Sequence, residues 1–284
     1  MSNLISYEVI SYDFYQLNFT QIIIKMNIKK VKIDKLYFLV FFLMLCACNK
    51  QLEYKENSLI KYVDPFIGTG GHGHTYPGAS MPFGMMQLSP DTRLDGWDGC
   101  SGYHYSDDEI YGFSHTHLSG TGVSDYGDIL LMPTNQAILN NGANGEKGYK
   151  SKFSHKNEVA QPGYYKVHLE DTNIDVELTV SKRSGIHKYE YPSSKDQVLI
   201  LDLEHRDQLN DFNMSIVNDR EVKGFRHSKA WATNQFLFYY IKFSHPIKDP
   251  DRFYEVSPTK ESFEFINPNN EPVYVKIGIS AVDE

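Results

Sequence analysis

Short runs in which apolar and polar residues alternate, separated by turn-forming residues, constrain the fold of this chain most strongly. The clearest runs are 163–171, 174–182, 186–192, 198–203, 236–244 and 272–281. Alternation puts every second side chain on one face of a strand, and turn formers such as Asp-Thr-Asn at 171–173 separate the runs. No sustained helical periodicity follows the N-terminal segment. The pattern predicts an all-β fold, an antiparallel β-sandwich.

Composition narrows the class of partner. The 284 residues carry a net charge of -8, and no long basic run is interleaved with aromatic residues in the body of the chain. A nucleic-acid partner is therefore excluded, because neutralising phosphates requires clustered Lys and Arg. The aromatic content of 14% suits half-buried strands and also suits stacking on sugar rings. Three cysteines imply no disulfide framework.

The N-terminal residues have the layout of an export signal. Residues 26–48 combine four lysines, an apolar run at 36–45 and a Leu-Cys-Ala-Cys end that resembles a bacterial lipobox, with Cys48 as the predicted lipid acceptor. The apolar run is too short to span a bilayer as a helix. Residues 1–25 are interpreted as preceding the true start, and residues 49–60 as a tether to a single domain at 61–284. A plain signal peptide or a short membrane anchor is the alternative.

A block rich in glycine and histidine raises the question of a metal or phosphate site. Its loop at 68–74 lacks the Lys-Ser/Thr ending of a phosphate-binding loop. Five histidines lie close together in sequence, at positions 72, 74, 104, 115 and 117, yet no recognised zinc spacing supplies a third ligand. The aspartates at 107, 108, 125 and 128 follow no EF-hand pattern. Hydrogen-bonded structural histidines are therefore expected, with a metal site as the alternative. The stretch 113–122 is predicted as a strand that carries His115 and His117 on one face, followed by a turn at 119–122 and a strand over 128–134.

Several long motifs in this order resemble one known family. They are DPFIGT at 64–69, TYPGASMPFGMMQLSPDT at 75–92, WDGCSGYHYSD at 97–107, GFSHTHLSGTG at 112–122, DYGDILLMPT at 125–134 and GFRHSKAWATNQFLFYYIKFSHP at 224–246. From about Tyr62 onward the chain is similar to the N-terminal domain of glycoside hydrolase family 92, the exo-acting α-mannosidases.

The resemblance implies a two-domain glycosidase in which an N-terminal β-sandwich packs on a larger (α/α)6 helical domain. Such enzymes are calcium-dependent and inverting, and they remove terminal α-linked mannose from glycans. Inversion needs an acid and a base about 6.5–9.5 Å apart. In the family these carboxylates and the calcium belong to the helical domain, so no catalytic residue and no calcium are expected in this chain, and it is predicted to be inactive alone.

By motif position the resemblance implies five residues in a sugar pocket. Phe66, Ile67 and Gly68 are expected at a sugar-facing loop, and Trp97 with Asp98 near the leaving-group side. Trp97 and Phe66 could instead be core residues. Mannose-containing glycans, the helical domain and a membrane reached through the lipid anchor are the expected partners, in the bacterial cell envelope. The alternative function is a stand-alone, lipid-anchored carbohydrate-binding or structural module, and the reading frame downstream would separate the two.

Overall fold

The computed structural model describes residues 59–251 and 258–283. Its strands, in chain order, are β1 (Ala79–Ser80), β2 (Gln87–Asp91), β3 (Glu109–Ile110), β4 (Gly112–Ser114), β5 (Leu130–Thr134), β6 (Ser151–Lys152), β7 (Glu158–Gln161), β8 (Tyr164–Leu169), β9 (Ile174–Val180), β10 (Ser184–Glu190), β11 (Val198–Asp202), β12 (Gln208–Asn218), β13 (Glu221–Lys229), β14 (Gln235–Phe243), β15 (Lys260–Glu264) and β16 (Val273–Ser280). Single turns of 3-10 helix occur at Leu59–Tyr62 and His155–Asn157.

Two antiparallel sheets form a sandwich. One has six strands in the order β1-β2-β4-β5-β11-β15, and the other has eight in the order β12-β13-β14-β16-β10-β9-β8-β7. A two-stranded sheet, β3-β6, is separate. Buried apolar side chains from both large sheets form one continuous core. The predicted all-β antiparallel sandwich is confirmed.

The eight-stranded sheet matches the alternation in the sequence. In β8, β9 and β16 buried residues alternate with exposed or half-buried ones, as expected when one face meets the core and the other meets water. All six predicted strands are present, with ends that differ by at most two residues from the predicted ends.

The run at 198–203 forms β11, but its predicted alternation is wrong. Every residue of β11 is buried, and so is every residue of its neighbour β5. Both faces of these strands are covered: Tyr149, which lies outside the sheet, donates a hydrogen bond of 2.6 Å to Asp202 of β11. A continuous apolar run is what a strand covered on both faces requires.

β12 and most of β13 were not predicted, because their sequences lack the alternation of apolar and polar residues that marks the other strands. β13 places Gly224, Arg226 and Ser228 on its buried face and half-buried Phe225 and His227 on the other. Its hydrophobic pattern is therefore reversed, because a polar network occupies this part of the interior. β12 is an edge strand and is mostly exposed or half-buried.

The strand predicted at the start of the stretch 113–122, before the turn at 119–122, is wrong in extent. β4 ends at Ser114, and His115 and His117 lie beyond it. His115 contacts His187 of the eight-stranded sheet, with 2.9 Å between their Nε2 atoms, whereas His117 lies 3.3 Å from Asp91. Both are buried structural histidines, but they do not share one strand face.

Nothing in residues 59–251 and 258–283 forms a helix long and apolar enough to cross a bilayer. The predicted signal at 26–48 with Cys48, the segment 1–25 and nearly all of the tether lie outside the described residues.

Candidate functional site

The loop that carries Phe66, Ile67 and Gly68 is a compact series of turns. The Phe66 N–H donates to Asp64 Oδ1 at 2.9 Å, and the Thr75 hydroxyl donates to the Ile67 carbonyl at 3.0 Å. Gly68 has a φ of 83°, a conformation that favours glycine, and an added Cβ would lie 2.9 Å from Thr75 Oγ1. The Ile67 side chain is 74% exposed and Phe66 is half-buried.

Trp97 stands on the surface rather than in the core. Its side chain is 56% exposed, which rules out the core interpretation. The His74 ring meets the indole edge to face, with centroids 4.4 Å apart, and His72 lies at 4.9 Å. Two imidazoles therefore fix the orientation of an exposed indole, and a fixed, exposed aromatic face suits stacking on a sugar ring.

Asp98 lies beside the same two histidines. His72 Nδ1 donates to Asp98 Oδ1 at 2.6 Å, and this hydrogen bond lowers the pKa of the Asp98 carboxyl. His74 Nε2 lies 3.6 Å from the same oxygen, is buried, and has no hydrogen-bond partner. His74 also has a φ of 54°, which is uncommon outside glycine. Strained backbone is concentrated at ligand and active sites, and a buried nitrogen without a partner requires an explanation.

The glycine-rich segment joins the Phe66 loop to the Trp97 surface. The Tyr105 N–H donates to the Thr69 carbonyl at 2.8 Å, and the Tyr105 ring packs on Phe66 with centroids 5.9 Å apart. An added Cβ at Gly73 would lie 2.1 Å from the Gly68 carbonyl oxygen, so the two stretches pass each other at a distance that only glycine permits. The structure therefore brings the predicted residues 66–68 and 97–98 into one connected region.

The loop that follows β4 supports Trp97. An added Cβ at Gly122 would lie 2.1 Å from Trp97 Nε1, so the indole rests directly on this glycine. Cys100, which is free and buried, lies 2.7 Å from the Thr121 carbonyl through its Sγ. The Gly120 N–H donates to the His74 carbonyl at 2.7 Å. The loop predicted as a turn at 119–122 is thus part of the site.

A buried carboxylate, Asp91, lies beneath these loops. His117 and His205 each place an Nε2 atom 3.3 Å from one of its oxygens, and Arg206 is 3.9 Å away. Burial alone would raise the pKa of Asp91, but the two histidines outweigh it and hold the pKa well below its usual range. An added Cβ at Gly102 would lie 2.2 Å from Asp91 Oδ1, so the chain of the Trp97 region packs directly on this group.

A second buried carboxylate, Asp128, ties the loops to the eight-stranded sheet. Arg226 of β13, fully buried, forms an ion pair with Asp128 and donates from Nε to the Leu203 carbonyl at 2.8 Å. Thr116 and Gln235 donate to the other oxygen at 2.6 and 2.7 Å. Both carboxylate oxygens of Asp128 therefore have partners, which makes the junction rigid.

Among the described residues, no group of three or more His, Cys, Asp or Glu side chains could hold a metal ion. The arrangement can instead stack a sugar ring on Trp97 and accept hydroxyl hydrogen bonds at Asp98. The sequence motifs predicted Trp97 and Asp98 as site residues, but not that His72 and His74 hold them in place. Their one-residue spacing beside the glycines was the available signal.

Comparisons with known proteins agree on the family. The glycosyl hydrolase family 92 N-terminal domain matches residues 62–280. The family GH92 α-mannosidase BT3965 from Bacteroides thetaiotaomicron is 34% identical, with a TM-score of 0.71 over 78% of this chain and 32% of that structure. The inverting mannosidase BT2199 of the same species is 25% identical, with a TM-score of 0.64 over 78% of this chain and 31% of its own.

A curated relative, an uncharacterized secreted glycosidase from Arthroderma benhamiae, is 31% identical over 52% of this chain. The chain spans 20% of that relative and about a third of each solved structure. The matched residues include both large sheets and the whole Trp97 region. The chain therefore belongs to the glycosyl hydrolase family 92 N-terminal domain family, the N-terminal domain of mannosidase-like glycosidases.

Proposed function

We propose that this chain forms the N-terminal wall of the sugar pocket in an inverting exo-α-mannosidase that releases terminal α-linked mannose, mainly α-1,2-linked, from glycans. The observation that carries the proposal is the exposed Trp97 held by His72 and His74 beside Asp98, in one region with the Phe66–Gly68 loop. The similarity to solved α-mannosidases supports it.

Each residue has a role that its surroundings permit. The Trp97 ring stacks on the C–H face of a pyranose, because aromatic faces favour such contacts. Asp98, held ionised by His72, accepts hydrogen bonds from sugar hydroxyls and orients the ring. Gly68 is required by its φ of 83° and by the Thr75 side chain beside it, and its role is to shape the sugar-facing loop. These groups bind and orient the sugar; none of them is proposed as acid or base.

The acid, the base and the calcium are proposed to come from a helical domain of the whole enzyme. Inverting hydrolysis needs two carboxyl groups about 6.5–9.5 Å apart, one to protonate the leaving oxygen and one to activate water. The 284 residues alone should therefore release no mannose from α-1,2-mannobiose with calcium present. Release that a chelator abolishes would contradict this proposal.

We also propose that the protein is lipid-anchored in a bacterial cell envelope through Cys48. The lipobox-like sequence at 45–48 supports this. In cells fed a palmitate analogue, Cys48→Ser should lose the label, and Cys100→Ser, at a cysteine buried in the fold, should keep it. Equal labelling of Cys48→Ser and the unchanged protein would rule out the anchor.

Calorimetric titration with α-1,2-mannobiose tests the sugar-binding role. Trp97→Ala should weaken binding about tenfold or more, because the stacking contact of an aromatic ring contributes on the order of 1 kcal/mol or above. Trp231→Ala is the matched control, since Trp231 is 66% exposed and is the other tryptophan of the chain. Equal affinity of the Trp97→Ala variant and the unchanged protein would refute the assigned site.

A further inference from the structure

A cavity of about 350 Å³ opens at one end of the sandwich, between the residues that precede and begin β2 and the residues that begin β14. Ligand pockets in proteins run from about 300 to 1,000 Å³, so this one has room for one small ring and not for an oligosaccharide. The Trp97 region is not part of its lining.

The lining is neutral but not apolar. Met85, Tyr126 and Leu237 are its apolar members, and Gln87, Thr116 and Gln235 are its neutral polar members. The Thr116 hydroxyl is already bonded to Asp128, and Gln87 Oε1 accepts from the His117 N–H. No lining residue carries a formal charge. A charged ligand would lose its hydration without gaining a counter-charge, which is costly. A neutral ligand with both a hydrophobic face and hydroxyl groups matches this surface.

One polar group of the lining is oriented in advance. Gln235 Nε2 donates to Asp128 Oδ2 at 2.7 Å, and Asp128 is fully buried in its ion pair with Arg226. Because a carboxylate oxygen only accepts, the amide cannot be flipped at this position. Its Oε1 acceptor and its second N–H are left at fixed positions, ready to bond a hydroxyl group.

The aromatic part of the lining is also held in place. Tyr126 has a φ of 72°, and Gly127 after it has a φ of 84°; the bridge between Tyr126 and His117 maintains this conformation. A bulky residue persists there only when its surroundings enforce it, and such strain is concentrated at ligand sites.

We propose that this cavity binds a single neutral pyranose unit, with the Tyr126 ring against the sugar and the Oε1 atom and second N–H of Gln235 bonding its hydroxyl groups. The site lies at the base of the loop that carries Gly122 beneath Trp97, so the same loop contributes to both regions. It is a second sugar site, and it does not depend on the role proposed for Trp97.

Protein-observed NMR of the full 284-residue chain, titrated with methyl α-D-mannopyranoside, tests the proposal. We expect saturable shifts of the Gln235 side-chain amide and of the Gly84 and Gly127 amides. Ala281→Phe, which fills the mouth of the cavity from an exposed position, should abolish these shifts. The matched control Ala143→Phe, also at an exposed alanine, should keep them.

Tyr126→Asn gives a second test that spares the backbone, because Asn accepts the left-handed conformation better than Tyr does. The affinity for the sugar should fall about tenfold, while the NMR spectrum stays well dispersed because the fold is intact. Shifts confined to Trp97, Asp98 and their neighbours would overturn this inference and leave the proposed function intact. The absence of any saturable shift at Gln235, or its persistence in Ala281→Phe, would also overturn it.

Discussion

Two regions of the domain use the same backbone conformation in different ways. In the strand region, residues 130–251 and 258–283, the non-glycine residues with positive φ are Asn173, Asp207, Asp249 and Asn270. In the loop region, residues 59–129, they are His74, Phe83, Tyr126 and Ile129. Asn and Asp adopt this conformation readily, whereas bulky and β-branched residues adopt it only when other contacts impose it. The loop region is therefore shaped by tertiary contacts, and the strand region by local sequence.

The contacts that shape the loop region are largely polar and buried. Asp91 lies between two histidines, Asp128 forms an ion pair with Arg226, and His115 is hydrogen-bonded to His187. The last contact continues to Tyr189, whose hydroxyl lies 2.8 Å from His187 Nδ1. His115 Nδ1 lies 2.5 Å from the Ile129 carbonyl, so it carries the proton, and this fixes the tautomer of both rings. The Trp97 region thus rests on side-chain hydrogen bonds in the place of regular sheet pairing.

Replacing Arg226 should have the largest effect on stability, because it removes a contact that holds the loop region. Arg226→Met leaves Asp128 buried without a counter-charge, and breaking a buried ion pair costs about 3–5 kcal/mol. Chemical denaturation should show a loss of that size. Arg220→Met, at an exposed arginine, is the control and should change stability by less than about 1 kcal/mol. Losses of equal size would mean that the buried network does not hold the loops.

The second largest effect is a loss of stability at acidic pH, which arises from the contact between His115 and His187. Burial lowers the pKa of His115 to about 4 and the pKa of His187 well below its usual value. As the pH falls, these histidines are protonated in the unfolded chain before they are protonated in the folded one. The free energy of unfolding therefore has its full value above about pH 6.5 and falls as the pH drops toward 4. Between pH 7 and 5.5 we expect a loss of about 1 kcal/mol for each histidine.

The pH dependence can be assigned with variants. His168→Gln, at a half-buried histidine paired with Asp175, should keep the slope. The double variant His115→Gln/His187→Gln should reduce it, whatever its stability at pH 7. A free energy of unfolding that is constant between pH 7 and 5.5 in the unchanged protein would contradict the buried neutral pair.

Gly122→Ala should disturb the Trp97 region without unfolding the strands. Its Cβ would lie 2.1 Å from Trp97 Nε1, so the indole must move. We expect a changed near-ultraviolet circular dichroism signal and weaker mannobiose binding, with unfolding shifted by about 1 kcal/mol. Gly278→Ala, where no atom lies within 4 Å of the added Cβ, should change neither signal.

Asp207→Asn should have the smallest effect on stability, and it should stabilise the protein where the other variants destabilise it. Burial raises the pKa of Asp207 to about 6, and its Oδ2 atom has no hydrogen-bond partner. The folded state thus binds a proton more tightly than the unfolded one, and this contribution is lost as the pH rises from about 4 to 6. Asn keeps the shape and the positive φ, so the variant should be slightly more stable at pH 7 by thermal unfolding. Equal or lower stability would argue against an ionised, unsatisfied carboxylate there.

The same two regions explain what the sequence could predict. β8, β9 and β16 follow from alternation because one face is wet and the other is buried. The reversed pattern of β13 could not be predicted, since Arg226 is buried only because Asp128 and two carbonyls receive it. Trp97 and Asp98 were identified by motif position. The pairing of Asp98 with His72, 26 residues away, depends on the tertiary fold.

Tryptophan fluorescence tests the central claim, that the loop region holds a sugar on Trp97, most directly. In a Trp231→Phe variant, Trp97 is the only tryptophan left. Titration with α-1,2-mannobiose should change its emission saturably, with the dissociation constant found by calorimetry, and Asp98→Ala should weaken the response. An unchanged emission from Trp97 while calorimetry still reports binding would contradict the account.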